Sequence, residues 1–334
     1  MKLIITILFI FIISLNNTLS DAQIITVNGS IEPHEMGVSL IHEHIIVDWI
    51  GADSSGYHRW NKEEVVKRAL PFIEDAKSHG VKTMLACTPA YLGRDPYVLK
   101  ALSDKTGMHF LTNTGFYGVR KNKFVPKYAF EATAEELAKN WIDEFERGID
   151  GYGIKPGFIK ISVEREDKLS KMHEKLVKAA AITHLKTGMT IVSHTGTNGP
   201  AMAQLKVLKE MGVAPGAFVW THAQHGTMDG YLHAAKLGAW ISIDNVKDRT
   251  DRIQWFVETL TELKKQNVLN HVLISHDAGW YDVGEPNGGD YRGYTAIFTA
   301  LIPELKKNGF TQNDIDLLLI ENPAKAYALN IKKL

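Results

Sequence analysis

The chain has 334 residues, 45% hydrophobic and 23% charged, and its 38 basic side chains balance 38 acidic ones. That composition is ordinary for a globular protein, and with no basic excess nucleic acid is excluded as the expected partner. The single cysteine, Cys87, rules out a disulfide framework or a cysteine metal site and reads as a small buried hydrophobe within the run Val81 to Thr88.

The N-terminus places one lysine before an apolar stretch from Leu3 to Leu15, then polar residues and the pattern Ser20-Asp21-Ala22. This predicts a secretory signal over residues 1–22, cleaved near Ala22, and a mature product that is secreted or periplasmic. The stretch is shorter than the ~20 residues a spanning helix needs, so an uncleaved anchor is the weaker alternative. No cysteine lies near the cut, so no lipid anchor and no stable membrane attachment are expected.

Residues 23–334 then alternate short β-rich apolar runs with longer stretches of helical period. The predicted strands are Ser39 to Asp48, Val81 to Thr88, His109 to Asn113, Gly157 to Ser162, Thr190 to His194, Ala217 to His222, Ala239 to Asp244 and His271 to Asp277. Predicted helices between them include Lys62 to His79, Ala134 to Ile149, Ser170 to Lys186, Arg252 to Gln266 and Thr295 to Lys307. Asn61 and Thr133 stand as N-caps before acidic first turns, and Gly188, Gly212 and Gly238 as helix stops. Eight such βα pairs predict one α/β domain closed as a (β/α)8 barrel. A doubly wound open sheet is the runner-up, but no glycine-rich phosphate loop follows the first strand.

Polar residues recur where apolar strand runs end. His42 and His44, flanking Glu43, share a face of the first strand by simple alternation. Lys160, His194, His222 and Asp277 close later strands, where a barrel gathers its catalytic groups. Buried lysine, histidine and aspartate are costly unless paired or metal-bound, so several together call for a shared partner.

These residues resemble the phosphotriesterase-like branch of the amidohydrolases. That family carries His-Glu-His on strand one, Gly-x-Ile-Lys on strand four, single histidines ending strands five and six, and an aspartate ending strand eight. The likeness runs through the mature chain and includes Gly93-Arg94-Asp95, Thr114-Gly115-Phe116-Tyr117 and Glu321-Asn322-Pro323-Ala324. Ser39 departs from the family's usual threonine. The resemblance implies a binuclear site for two divalent ions, with His42, His44 and Asp277 on the more buried metal and His194 and His222 on the more exposed one. Lys160 would bridge them, which requires it to be carbamylated because an ammonium has no lone pair to give. Zinc suits such ligands, and manganese, iron or cobalt also fit. The implied reaction is hydrolysis by a hydroxide formed between the metals, with Asp277 taking its proton.

Where triester hydrolases of that family have an aspartate and histidine proton relay, this chain offers His225 and Asn245. His225 is either a lone proton shuttle or a rim residue, and Asp244 a relay group or a structural acceptor. Tyr117 stands where lactone-cleaving relatives carry tyrosine and triester hydrolases tryptophan. The expected substrate is thus a small lactone or carboxylic ester, with a phosphotriester as the alternative. Trp280, Tyr281 and Tyr291 are expected to form an aromatic lid, with Trp49, Tyr91 and Arg94 at the same mouth. Arg94 either binds an anionic substrate or pairs with Asp95. A homodimer is compatible with such a chain. Non-catalytic metal binding and a mononuclear deaminase-like site are the competing readings.

Overall fold

The computed structural model describes residues 22–334; the expected signal segment lies, but for Ala22, outside them. Among the described residues no helix is long and apolar enough to cross a membrane.

Eight parallel strands form the wall of a barrel. Strand one is Ser39–Glu43 and strand two Thr83–Ala86; strand three is His109–Leu111, continued past Thr112 by Asn113–Thr114. Strands four to eight are Phe158–Ser162, Thr190–His194, Phe218–Thr221, Trp240–Ile243 and Val272–Ile274. Neighbours in sequence are neighbours in space, from one through three and from three through eight. Closure between eight and one is made by Asp277 N–H donating to the His42 carbonyl at 3.0 Å and by His42 N–H donating to Ser275 Oγ at 3.0 Å.

Alternation along the strands sorts the core. Ile41, Leu85, Leu111, Phe158, Val192, Val219 and Leu273 meet inside the barrel, while Leu40, Met84, Phe110, Ile159, Ile191 and Ile241 join the layer beneath the helices. An N-terminal hairpin, Ile24–Thr26 paired with Gly29–Ile31 across the two-residue turn Val27-Asn28, is absent from the predicted elements. Its Ile24 joins the interior cluster with Met36 and Tyr327, and Val27 N–H donates to the Phe110 carbonyl at 2.8 Å.

The predicted helices form within a few residues of expectation, at Lys62–Ser78, Ala134–Arg147, Lys171–Thr187 and Thr250–Lys265. Asn61 accepts from Glu64 N–H, Thr133 forms a full capping box with Glu136, and Gly188 and Gly238 close their helices in the left-handed conformation. The stretch predicted as Thr295 to Lys307 opens with a wide π turn, Ile297–Leu301, before Ile302–Lys307.

Candidate metal centre

Strand ends put their side chains into one cavity of about 330 Å³, lined by His42, His44, Lys160, His194, His222 and Asp277 together with Trp49, Tyr117, Trp280, Cys87 and Leu92. Lys160 and His194 follow from the alternation that puts Phe158 and Val192 inside. His222 and Asp277 lie one and three residues beyond their strands, not within them as predicted, at φ 59° and φ 51°. Non-glycine residues in that conformation carry strain that gathers at functional sites.

Strand one also departs from plain alternation. Ile41 faces the interior, so alternation alone would send His42 toward the helices. Pairing with strand two shifts register between Leu40 and Glu43, and both rings enter the cavity with centroids 5.4 Å apart.

For His44 the hydrogen bonds fix which ring nitrogen is bare. Thr88 Oγ1 spends its proton on the Ile46 carbonyl at 2.9 Å, so at 2.7 Å it accepts from His44 Nδ1–H. His44 Nε2 is then an acceptor, yet it lies 3.1 Å from Asp277 Oδ1, another acceptor. Burial lowers the His44 pKa, despite Asp277, and so favours that neutral ring. Burial and the nearby Lys160 hold His42 well below its ordinary value; burial and His222 do the same to His194. Burial pushes His222 down to about 3. Burial opposes ionisation of Asp277, but the adjoining His44, His222 and His42 rings outweigh it and hold the carboxyl well below its usual range.

Four imidazoles held neutral by burial, a carboxylate and the fully buried Lys160 Nζ, which has no hydrogen-bond partner, converge on one cavity. One atom from each of His42, His222 and Asp277 lies within 4.8 Å of the others, the spacing of groups that share a cation. The residues therefore fit a divalent metal.

A layer behind these groups carries less sequence signal. Asp244, fully buried, sets Oδ2 3.3 Å from His42 Nδ1 and 3.5 Å from His222 Nδ1. It also accepts from His222 N–H at 3.0 Å and, through Oδ1, from Ser242 Oγ at 2.7 Å. Glu43 turns away from the cavity and binds strand eight, accepting from Ser275 Oγ, His276 N–H, His276 Nδ1 and Ala278 N–H at 2.7 to 2.9 Å. His276 accepts at Nε2 from Ile297 N–H, which makes it the structural residue expected. Gly115 lies so close to strand four that a Cβ would overlap the Lys160 carbonyl.

The mouth residues divide. Tyr117 Oη lies 3.3 Å from His194 Nδ1, and Trp280 stacks on His44 at 3.7 Å and on Trp49 at 6.0 Å. Arg94, however, is turned away: it makes a bidentate pair with Glu144 at 2.7 and 2.8 Å and donates to the Asn113 carbonyl. Asp95 caps the following helix, so neither expected role of Arg94 holds. Tyr281 is likewise outside the cavity, because Tyr281–Asp282 pairs with Ile46–Val47 as an added strand. Tyr291 is buried against Tyr294, whose hydroxyl donates to the His44 carbonyl at 2.7 Å. The aromatic lid therefore reduces to Trp280. His225 is exposed on the turn after strand six and does not line the cavity. Cys87, expected to be inert, is buried at the cavity floor with its thiol pushed up to about 12 by desolvation.

Fold and site thus define an α/β barrel with a histidine-rich centre at the C-terminal ends of its strands. The phosphotriesterase family model matches residues 22–327, and the chain belongs to that family. It is 30% identical over 309 residues to an aryldialkylphosphatase of Saccharolobus solfataricus, covering 90% of this chain and 97% of that one. It is 29% identical over 293 residues to a phosphotriesterase homology protein of Escherichia coli, covering 87% and 98%. A crystal structure of an E. coli phosphotriesterase homology protein, with phosphate in its active site, superposes with a TM-score of 0.72 at 27% identity, covering 87% of this chain and 98% of that one. The human N-acetyltaurine hydrolase is 24% identical over 346 residues, covering 89% of this chain and 95% of that one.

Proposed function

We propose that this chain is a binuclear metal-dependent hydrolase that cleaves an ester bond, lactones or other carboxylic esters first. The observation that carries the reading is the confrontation of two acceptors, His44 Nε2 and Asp277 Oδ1, across 3.1 Å beside the orphaned Lys160 Nζ. A cation relieves the first, and conversion of Lys160 to a carbamate, an anionic two-oxygen ligand, relieves the second. His42, His44 and Asp277 would hold one ion and His194 and His222 the other, with the carbamate between. Zinc fits this nitrogen and oxygen set; manganese, iron and cobalt are the other candidates. When bound, such ions would supply Lewis acidity and lower the pKa of a water they bind.

The chain's own groups supply the rest. The Asp277 carboxylate takes a proton from the nucleophile at an oxygen, being ionised beforehand. Tyr117 Oη reaches the cavity as a donor for the ring or carbonyl oxygen of a planar ester. Trp49 and Trp280 cover the entrance and restrict water. Phosphotriester cleavage is the second reading, favoured by the relative named as an aryldialkylphosphatase. The lysine and apolar stretch at the N-terminus support export of the mature chain.

The test is to load purified protein with zinc, manganese or cobalt and assay lactones, aryl esters and phosphotriesters, with Asp277→Asn and Lys160→Ala beside wild type. About two metals per chain, a carbamate signal in carbon-13 NMR, and recovery of some Lys160→Ala activity by short carboxylic acids are the expected results. Full activity in chelated protein, or an unmodified lysine in metal-replete protein, would sink the reading.

A further inference from the structure

Although the chain as a whole is neutral, cationic side chains without salt-bridge partners stand on the segments that follow strands three, four and seven, at the C-terminal face of the barrel. Arg252 opens the helix that follows strand seven. It stacks on Trp255 and Phe256, 5.1 and 5.5 Å from the ring centroids, which holds its plane but offers its N–H groups no acceptor. Its Nε and Nη2 are buried with no hydrogen-bond partner, an expensive state for a guanidinium. Lys247, on the same loop, is half-buried within electrostatic range of Asp277, Arg252 and Arg292. That loop is seated against strand eight by Val246 N–H donating to the Ser275 carbonyl at 3.2 Å.

From the opposite side, Arg165 lies within electrostatic range of Tyr117 and His225, and Arg120 stacks over Trp49, a wall of the cavity, at 4.2 Å. Among the described residues none of Arg120, Arg165, Lys247 or Arg252 has a salt bridge; the nearby Arg249 is paired with Asp251. The acids that face this ring are few. Glu164 accepts from Lys121 N–H, Asp277 belongs to the metal centre, and Asp248 lines a separate groove toward Pro303 and Lys307. Partial burial and then the neighbouring arginines lower the Lys247 pKa against the opposing pull of Asp277.

We propose that the substrate carries an anionic group, a carboxylate, sulfonate or phosphate, seated by Arg252 and Lys247 at the cavity mouth while its scissile bond lies over the metal centre. The proposal rests on the hydrolase reading and narrows its substrate class. A guanidinium gives such a group two parallel donors, and Lys247 adds a point charge. Arg120 and Arg165 add field rather than contact, which draws an anion toward the cleft and weakens with salt.

The test uses the metal-loaded, full-length mature protein and two matched substrate pairs, 4-nitrophenyl hemisuccinate against 4-nitrophenyl butyrate, and 3-carboxyphenyl acetate against phenyl acetate. The first carries its charge on the acyl side and the second on the leaving group. At least one pair should favour the anion by about tenfold or more in kcat/KM at low salt, mainly through KM, as one partly screened charge contact supplies. Raised salt should erode that ratio, and Arg252→Met or Lys247→Met should bring it toward unity. Binding of benzenesulfonate, a poor metal ligand, is measured calorimetrically on the same preparations, and Arg252→Met should weaken it about tenfold. If no ester is turned over, the hydrolase reading fails, and the calorimetry alone decides this one. Equal rates for both members of both pairs, or sulfonate binding that neither substitution changes, overturns it.

Discussion

Asp244 Oδ2 stands 3.3 Å from His42 Nδ1, in ion-pair contact without an aligned hydrogen bond, so a buried carboxylate backs the ring of a candidate ligand that is itself buried. The same oxygen lies 3.5 Å from His222 Nδ1 and accepts from the His222 backbone. One side chain thereby touches two imidazoles from the end of strand seven. A carboxylate behind a ligating histidine fixes its tautomer and raises its basicity.

Asp244→Asn should therefore weaken metal binding by about 10- to 100-fold with the ligands all present. Competition titration against a chromophoric chelator reads the affinity. Excess metal should restore much of the activity, which a direct role for Asp244 in proton transfer would not permit. An affinity equal to wild type refutes the orienting role.

Glu43 is a stability residue that sits inside the metal motif. It ties strand one to strand eight through four donors, all buried. Glu43→Gln brings an N–H₂ against those donors and should cost about 2 to 4 kcal/mol, in the range for disrupting a buried charged network. Thermal unfolding of the metal-free protein is the measurement, since it separates barrel closure from metal loss. A change under ~0.5 kcal/mol places closure elsewhere.

Tyr117 should set the balance between esters and triesters. Its hydroxyl reaches His194 and its ring meets Phe124 edge-on, so Tyr117→Trp exchanges a donor for bulk at the cavity wall. One such contact is worth about 1 to 3 kcal/mol, or roughly ten- to two-hundred-fold in specificity. The ratio of kcat/KM for a lactone to that for a dialkyl aryl phosphate should fall accordingly. An unchanged ratio assigns specificity to the loops.

Lys332 gives a pH dependence far from the site. Burial lowers its pKa from 10.5 to about 8, and its Nζ has no partner. Between those values the unfolded chain binds the extra proton, so this group's contribution to stability rises with pH from about 8 to 10.5, and its penalty is full below 8. Lys332→Met should raise stability by about 1 to 2 kcal/mol near pH 7, allowing for partial solvent screening, with the gain shrinking toward pH 10.5. Melting curves of both proteins across that range check it, and a pH-independent difference refutes it.

The strand and helix order, the caps at Asn61 and Thr133, and the six polar residues at strand ends were legible in the sequence because each depends on local period or neighbouring residues. Alternation alone placed Lys160 and His194. It did not account for His42, which enters the cavity through a register shift between two strands, nor for His222 and Asp277, which turn inward from left-handed positions past their strands. The outward turn of Arg94 depends on Glu144, fifty residues away, and the loss of Tyr281 from the mouth depends on its pairing with Ile46. Asp244 and Glu43 act on residues of strands distant in sequence. Chemistry at each position was written locally, but which side chains share a partner is decided by barrel closure, because only closure brings strand one against strand eight.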